Sequence, residues 1–146
     1  VGPFAVPMAG RDAEVVGCDL NPVAVEYLRE NARRNGVADR VTAIAGDVRE
    51  LTAEYGGWAD RLVMNLPHSA GEFLDTAVEL ASEECVIHYY DIQHEDDPFG
   101  PGKRAIRRAV ADSDADYDVT VETERVVRSY APHEYNVCLD VRLTAR

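Results

Sequence analysis

The feature that most constrains the fold is the alternation of short apolar runs with segments of helical periodicity. After the first run, Val23, Val25 and Leu28 recur near helical spacing. Pro22 precedes them and an Asn-Gly pair ends the segment, which is the usual order of helix start and stop signals. Strands that alternate with helices predict an α/β sheet with helices on both faces. The apolar runs are AEVVGCDL (13–20), RVTAIAGDV (40–48) and RLVMN (61–65).

The C-terminal half of the chain ends this alternation. Residues 73–81 predict a helix, residues 85–92 a buried strand, and residues 103–114 a second helix after a loop rich in proline and glycine. Two β-rich runs follow with an Ala-Pro break and no helix between them, so we expect them to pair antiparallel. With 146 residues, 46% of them apolar, the chain can bury one core, which predicts a single domain over residues 1–146.

Short polar residues follow three successive predicted strands. In parallel α/β sheets, ligands bind beyond the carboxyl ends of the strands. There, one carboxylate can accept hydrogen bonds from a ribose diol, and another can accept from an adenine amino group. Each side chain could instead cap the helix that follows, since N-cap positions favour Asp and Asn. Their occurrence at consecutive strand ends favours a nucleoside site. The residues are Asp19 with Leu20 and Asn21, Asp47 with Val48, and Asn65 with Leu66 and Pro67.

The charge balance limits how the chain can bind nucleic acid. Fifteen Lys and Arg against 27 Asp and Glu give a net charge of -12, which argues against general phosphate neutralisation. One local cationic cluster, on the predicted helix, comprises Lys103, Arg104, Arg107 and Arg108. That cluster could contact RNA phosphates or form a solvated face. The acidity fits a protein for molar salt, where the Debye length is about 3 Å, or an ordinary acidic domain.

The remaining chemistry-bearing residues are predicted to be structural. Cys18, Cys85 and Cys138 are odd in number and lie in apolar runs, which predicts buried free thiols. The stretch HYYDIQHEDD (88–97) could suggest a metal site, but its acids fall in a loop, so we expect no metal. No apolar run reaches the roughly 18 residues of a membrane span, and no signal-peptide pattern opens the chain, so we expect a cytoplasmic protein.

Several segments together resemble the archaeal and eukaryotic type of tRNA (guanine-37, N1)-methyltransferase, a class I S-adenosylmethionine-dependent family. The resemblance covers nearly the whole chain. It implies a Rossmann-like sheet, S-adenosylmethionine as cofactor and the anticodon region of tRNA as substrate, methylated at N1 of guanosine 37. We expect a monomer. The acidic composition is similar to that of family members from halophilic archaea. The segments are VGPFAVPMA (1–9), VVGCDLNPVAVEYLRENARRNGV (15–37), AGDVRE (45–50), NLPHSAGEFLD (65–75), IHYYDI (87–92) and YAPHEYNVCLDV (130–141).

The same resemblance implies residue roles. VGPF corresponds to the second half of a glycine-rich loop, so the first strand of the sheet would lie upstream of Val1. Asp19 would hold the ribose and Asp47 the adenine. The family's general base and assisting arginine precede that loop and would fall outside this chain, so we assign neither role to Glu72 or Arg49. The implied cofactor site comprises Pro3, Phe4, Asp19, Leu20, Asn21, Asp47, Val48 and Asn65.

Asn65 and Pro67 are the catalytic candidates. Methyl transfer to N1 of guanine requires positioning, removal of the N1 proton and donors for charge developing toward O6. The Asn65 amide offers both an acceptor and donors, and Pro67 restricts Leu66 to extended backbone. In similar methyltransferases, Asn or Asp followed by proline grips the target base. The alternative is that Asn65 caps a helix beginning near Ala70.

Two other functions stay open from the sequence. An aminocarboxypropyl transferase of the wybutosine pathway uses the same donor but transfers a different group from it, and VGPF with NLPHSA favours methyl transfer instead. A non-catalytic acidic module that binds a nucleoside or a partner is the second alternative. The mass of the modified product separates the two transferases directly.

Overall fold

The strands and helices follow one another in the predicted order. The computed structural model describes residues 2–66 and 68–146. The chain divides into two compact units, Val1–Leu51 and Thr52–Arg146, and the prediction of one domain stays a prediction. The strands are β1 Val15–Asp19, β2 Val41–Ala45, β3 Ala59–Met64, β4 Ala81–His94, β5 Tyr117–Ala131 and β6 Glu134–Ala145. The α-helices are α1 Ala5–Ala9, α2 Pro22–Arg34, α3 Thr52–Tyr55, α4 Leu74–Leu80 and α5 Gly100–Asp112. Short 3-10 turns cover Ala38–Arg40, Val48–Leu51 and Ala70–Phe73.

The first unit is a parallel strand pair with two helices packed against it. Strands β1 and β2 pair in register from Val15 opposite Val41 to the last residue of each strand. Helices α1 and α2 bury Ala9 and Ala32 beside Val15 in one small core. Gly17 permits this approach, because a Cβ at that position would lie 2.5 Å from Cδ2 of Leu28. Helix α2 therefore lies directly on β1.

The ends of α2 are set by the local sequence, as predicted. The side chain of Asn21 accepts a hydrogen bond of 3.0 Å from the amide of Val23, and Pro22 occupies the first helical position. Beyond the last turn, Gly36 has a φ of 70°, which favours glycine. Because α2 starts so soon after β1, this cap also fixes how the chain leaves Asp19.

The second unit is a mixed sheet in the order β3-β4-β6-β5. Strands β3 and β4 are parallel, whereas β6 runs antiparallel to both β4 and β5, which confirms the predicted terminal pair. Helices α4 and α5 pack on one face against Ile87, Leu139 and Val141. A Cβ on Gly102 of α5 would lie only 2.8 Å from Cδ1 of Leu139. In both units helices pack against strands, as the predicted α/β class requires.

Two elements extend beyond their predicted limits. The strand predicted at residues 85–92 spans Ala81–His94, because β6 offers it eleven partner positions, from Glu84 to His94. Helix α5 begins at Gly100 rather than at residue 103, since Pro101 is tolerated in a first turn, where its missing amide would be unpaired. The ladder between β5 and β6 is irregular at Val121/Thr123, Val126/Arg128 and Ser129/Ala131.

A row of polar side chains crosses the sheet face opposite α4 and α5. Nη1 of Arg61 lies 2.6 Å from Nε2 of His88, and Nδ1 of His88 lies 2.6 Å from Oδ1 of Asp140. Because arginine can only donate, the Nδ1 of His88 carries the proton that is donated to Asp140. The hydroxyl of Thr123 donates to the other carboxylate oxygen of Asp140. The row therefore links all four strands.

The three cysteines are free, as predicted, with Cys85 and Cys138 buried and Cys18 half-buried. Burial raises the pKa of Cys85 to about 12. None of the described helices is long and apolar enough to span a membrane. Within residues 2–66 and 68–146, no group of three His, Cys, Asp or Glu side chains is arranged to hold a metal ion.

Candidate functional site

Asp19 and Asp47 lie at the same edge of the first sheet, as predicted. Strands β1 and β2 are parallel and end together, with Asp19 opposite Ala45. The amide of Gly46 donates a 2.9 Å hydrogen bond to the carbonyl of Asp19, which ties the two strand exits together. Burial raises the pKa of the Cys18 thiol, and the nearby carboxylates of Asp47 and Asp19 raise it further. Two carboxylates thus converge on one edge.

Asp19 does not cap the following helix. Its Oδ1 accepts a 2.9 Å hydrogen bond from the amide of Asn21, and it is Asn21 that caps α2. The helix-cap alternative for Asp19 is therefore wrong. In the described part of the chain no cationic side chain pairs with this carboxylate. The adjacent Leu20 is 72% exposed and offers an apolar surface beside it.

Asp47 is already engaged within the fold. Its Oδ1 accepts a 2.9 Å hydrogen bond from the amide of Arg49, as a cap of the turn Val48–Leu51 would. The guanidinium of Arg49 also binds the carboxylate, with Nη2 2.5 Å from Oδ2. These hydrogen bonds from Arg49 lower the pKa of Asp47. A ligand that uses Asp47 must share it with Arg49, while Val48 is half-buried at the start of the turn.

Pro3 and Phe4 form a turn directly before α1, and both are exposed. Gly2 has a φ of 88° and lies so close to α2 that a Cβ there would be 2.7 Å from Cδ1 of Leu28. Only glycine suits that combination of backbone and space. The glycine therefore brings the turn close to α2 and leaves Pro3 and Phe4 at the surface.

Asn65 follows the last residue of β3 and is exposed. The carbonyl of Leu66 accepts hydrogen bonds from the amides of Ser69 and Ala70, at 3.0 and 2.7 Å, so the chain turns there. Ser69 precedes the 3-10 turn Ala70–Phe73, so the cap alternative for Asn65 is wrong. Among residues 2–66 and 68–146 the Asn65 side chain has no hydrogen-bond partner. Pro67 lies outside the described residues, so its role stays a prediction.

One contact of this loop was not predicted from the sequence. Nε2 of His68 lies 2.9 Å from Oη of Tyr130, and the two rings meet edge to face with centroids 5.3 Å apart. The residues are 62 positions apart in the chain. No spacing rule links them, and the only sequence signal is that each lies in a segment that resembles the methyltransferase family.

The predicted cationic cluster on α5 is partly neutralised. Nζ of Lys103 pairs with Glu124 at 2.5 Å, and Nη2 of Arg104 lies 3.6 Å from Oδ2 of Asp97. The other two members, Arg107 and Arg108, are exposed, and no carboxylate in the described part of the chain pairs with them. The cluster therefore offers about half of the positive charge that its sequence suggests.

A family model, a curated protein and a solved structure all relate this chain to the same group of enzymes. Residues 1–128 match the model of the TRM5/TYW2 methyltransferase domain. The tRNA (guanine(37)-N(1))-methyltransferase Trm5b of Pyrococcus abyssi is 40% identical over 146 residues, which cover 99% of this chain and 42% of that protein. The crystal structure of Pyrococcus abyssi Trm5b matches with a TM-score of 0.87, covering 98% of this chain and 41% of that chain.

Two further solved structures are similar. The structure of M. jannaschii TYW2 in complex with AdoMet is 26% identical with a TM-score of 0.89, covering 98% of this chain and 64% of that chain. The complex of aTrm5 and tRNALeu is 32% identical with a TM-score of 0.81, covering 97% of this chain and 38% of that chain. The chain thus spans 38–42% of the length of these Trm5 proteins.

Proposed function

The chain belongs to the TRM5/TYW2 methyltransferase domain family, and from this premise we propose that the full-length protein transfers a methyl group from S-adenosylmethionine to N1 of guanosine 37 in tRNA. Trm5b of Pyrococcus abyssi, 40% identical, bears that activity in its name. The structural observation that carries the proposal is Asn65, an exposed amide at the end of β3 that the described residues leave without a side-chain partner.

The donor site is assigned to the edge of the first unit. S-adenosylmethionine supplies the methyl group from its sulfonium. Oδ2 of Asp19 accepts no hydrogen bond from the residues that the structure describes, which fits a ribose diol. Leu20 would contact the adenine ring, and Asp47 would accept from its amino group while still held by Arg49. Asn21 and Val48 would shape the edge, and the exposed Pro3 and Phe4 would flank the methionine end.

The target base is assigned to Asn65. Its amide can accept a hydrogen bond from a base N–H and donate one to O6, where negative charge develops as the N1 proton is removed. Pro67 would hold the backbone of Leu66 extended. No residue of this chain is assigned the removal of the N1 proton. Glu72 is exposed on the turn Ala70–Phe73 and receives no role.

The test is methyl transfer by the full-length protein. A tRNA transcript with guanosine at position 37 is incubated with the full-length protein and S-adenosylmethionine. The tRNA is then digested to nucleosides, whose masses are measured by mass spectrometry. We expect one added methyl group on N1 of guanosine, and none on a transcript with adenosine at position 37. Binding of S-adenosylmethionine without any modified nucleoside would overturn the proposal and favour a non-catalytic module.

A second activity has specific support. The structure of M. jannaschii TYW2 in complex with AdoMet matches this chain with a TM-score of 0.89, no lower than that of Trm5b. An aminocarboxypropyl transferase would act on a wyosine-type precursor at position 37 and add a larger group from the same donor. A nucleoside with that larger mass increase, and no methylguanosine, would replace the first proposal with this one.

We also propose that the protein is a cytoplasmic monomer that works at high salt, as in halophilic archaea. A net charge of -12 with 27 acidic residues destabilises the folded state by self-repulsion at low ionic strength. Raising KCl from about 0.1 M to about 1 M shortens the Debye length from about 10 Å to about 3 Å. The melting temperature of the full-length protein should rise over this range, and light scattering in the same salt should report one chain per particle. A falling melting temperature would contradict the proposal.

A further inference from the structure

The outer part of the β5–β6 hairpin, residues 125–133, is called the hairpin arm below. Val126, Val127 and Tyr130 of the arm are 44%, 45% and 47% exposed. Arg125 and Arg128 lie in the same stretch and are also exposed. Exposed apolar and aromatic side chains in a contiguous group mark interaction surfaces more often than isolated ones do. The arm thus combines aromatic and cationic groups on one short stretch.

The charges around the arm are unevenly paired. Three carboxylates near the arm are each bound by a cationic or histidine side chain, and Glu134, which follows the turn, has no ion-pair partner among the described residues. No carboxylate in the described part of the chain pairs with Arg125 or Arg128. Two arginines without a carboxylate partner among the described residues therefore stand on a protein whose net charge is -12. A polyanion would be repelled by most of this surface and attracted at the arm. The engaged carboxylates are those of the pairs Glu124–Lys103, Glu122–Arg142 and Glu95–His133.

The register brings both arginines to one face. Arg125 lies opposite Cys138 and Arg128 lies opposite Asn136, and these two residues of β6 share a face because they are two positions apart. Arg125 and Arg128 are three positions apart, which in a regular strand would put them on opposite faces. The irregularity between Val126 and Arg128 shifts the register by one residue and so returns Arg128 to the face of Arg125. The two residues thus lie on one face, about 7 Å apart along the ladder.

The arm is fixed in place and lies beside the loop of Asn65. At one end, Oη of Tyr130 is 2.9 Å from Nε2 of His68, three residues after Asn65. At the hairpin turn, the amide of Glu95 donates a 2.8 Å hydrogen bond to the carbonyl of His133. Whatever enters the Asn65 loop therefore meets the arm as a preformed neighbouring surface.

We propose that the hairpin arm is a second contact for the RNA, in which Arg125 and Arg128 bind phosphates and the ring of Tyr130 stacks on an unpaired base next to the target nucleotide. This inference rests on the proposed function and names a further contact of the same site. Phosphate contacts set the position of the strand, and an aromatic ring accepts any base on its face. Proteins recognise RNA by base stacking mainly in single-stranded loops, whose unstacked bases can turn outward onto an aromatic side chain.

The test measures equilibrium binding of tRNA by the full-length protein without methyl donor, across a salt series. Arg125→Gln and Arg128→Gln should each weaken binding about 3–10-fold and lower the slope of log affinity against log salt by about 0.7–0.9. Tyr130→Ala should weaken binding by roughly 5–100-fold, the range for losing one stacked base. Circular dichroism checks that each variant keeps the wild-type melting temperature.

Arg146→Gln is the matched control. Arg146 is exposed at the opposite end of the same hairpin and pairs with Asp118 at 2.7 Å, so its removal changes the net charge equally without touching the arm. Its affinity and salt slope should stay within twofold of the wild type. An equal loss in this control would show a general charge effect and overturn the proposal.

The two proposals fail in different ways. If the wild type methylates guanosine 37 while all three arm variants bind tRNA as the wild type does, the arm inference is wrong and the proposed function stands. If the arm variants lose binding but no tRNA is modified, the arm inference stands and the proposed function is wrong.

Discussion

The polar residues at the strand ends differ in how much of each side chain the fold itself uses. Asn21 caps α2, and Asp47 is bound by the guanidinium of Arg49. Asp19 keeps one carboxylate oxygen outside these bonds, and the amide of Asn65 has no partner among the described residues. A polar atom that the fold does not use can be removed at little cost in stability. Asp19 and Asn65 are therefore the two positions where loss of function and loss of stability separate most cleanly.

Replacing Asp19 tests the donor site. Asp19→Ala in the full-length protein should weaken S-adenosylmethionine binding by roughly 10–100-fold, because hydrogen bonds to a charged group are worth roughly 1.5–3 kcal/mol. Isothermal titration measures the affinity. Asp96→Ala is the control, since Asp96 is also exposed, lies in a loop of the second unit and pairs with His94. Equal affinities for the two variants would remove the ribose assignment.

Replacing Asn65 tests the catalytic assignment. Asn65→Ala should lower the single-turnover rate of methyl transfer by roughly 100–1,000-fold, the scale for one preorganised polar group. Donor affinity should stay near that of the wild type. The melting temperature should also stay unchanged, because the helix that follows is preceded by Ser69 and not capped by Asn65. A normal rate with a lower melting temperature would contradict the assignment.

At the scale of elements, the sheet of the second unit has two different faces. One is apolar and covered by α4 and α5, whose contact with the sheet is so close that Gly102 leaves no room for a Cβ. The other carries the polar row from Arg61 through His88 and Asp140 to Thr123. Close packing stabilises the first face and hydrogen bonds stabilise the second. Substitutions on the two faces should therefore lower the stability of the fold for different reasons.

The covered face is tested by Gly102→Ala. An added methyl group would meet Leu139 at 2.8 Å and Tyr89 at 3.2 Å, which costs about 1–3 kcal/mol through overpacking. Alanine regains up to about 1 kcal/mol of helix propensity. We expect a net loss of about 1 kcal/mol in urea unfolding. Arg107→Ala on the exposed side of the same helix should stay within about 0.5 kcal/mol of the wild type; a stabilised Gly102→Ala would show that α5 can shift outward.

The polar face is tested through pH. Burial pushes the pKa of Asp140 upward, but hydrogen bonds from Thr123 and His88 outweigh it and hold the pKa below its usual range. A lowered pKa stabilises the fold above the unfolded value of about 3.9, and this contribution is lost as the pH falls through the folded value. Asp140→Asn should therefore cost roughly 2 kcal/mol at pH 7.

The expected difference between Asp140→Asn and the wild type shrinks as the pH falls below about 4. Urea unfolding at a series of pH values measures it. Asp114→Asn, at an exposed position before β5, is the control and should show no such convergence. A penalty for Asp140→Asn that is constant from neutral to acid pH would mean that packing, and not charge, holds this row together.

At the scale of the whole molecule, the sequence predicts what is decided locally. The limits of α2 follow from Asn21, Pro22 and Gly36, and the absence of a helix between the last two apolar runs predicts their antiparallel pairing. Contacts between distant residues escape such rules. The pairing of His68 with Tyr130 depends on the register of β5 against β6 and on its irregularities. No local pattern fixes that register.

The same distinction holds for charge. Composition gives the net charge of -12 but not its distribution, because pairing is a property of the folded chain. The sequence does not distinguish among the four cationic residues of α5. In the structure, Lys103 and Arg104 pair with carboxylates outside the helix. No pattern in the sequence marks Arg125 or Arg128 as a binding residue. The structure distinguishes them, because no carboxylate among the described residues pairs with either one.

The irregular ladder between β5 and β6 also bears on solubility. Strand β5 is an outer strand, and among the described residues only β6 pairs with it. A regular outer strand with exposed valines would be a template onto which a second molecule could add its own strand. The three irregularities twist that edge and interrupt its row of amide and carbonyl groups. Val126 and Val127 are thus exposed on a strand whose outer edge is a poor template for a second molecule.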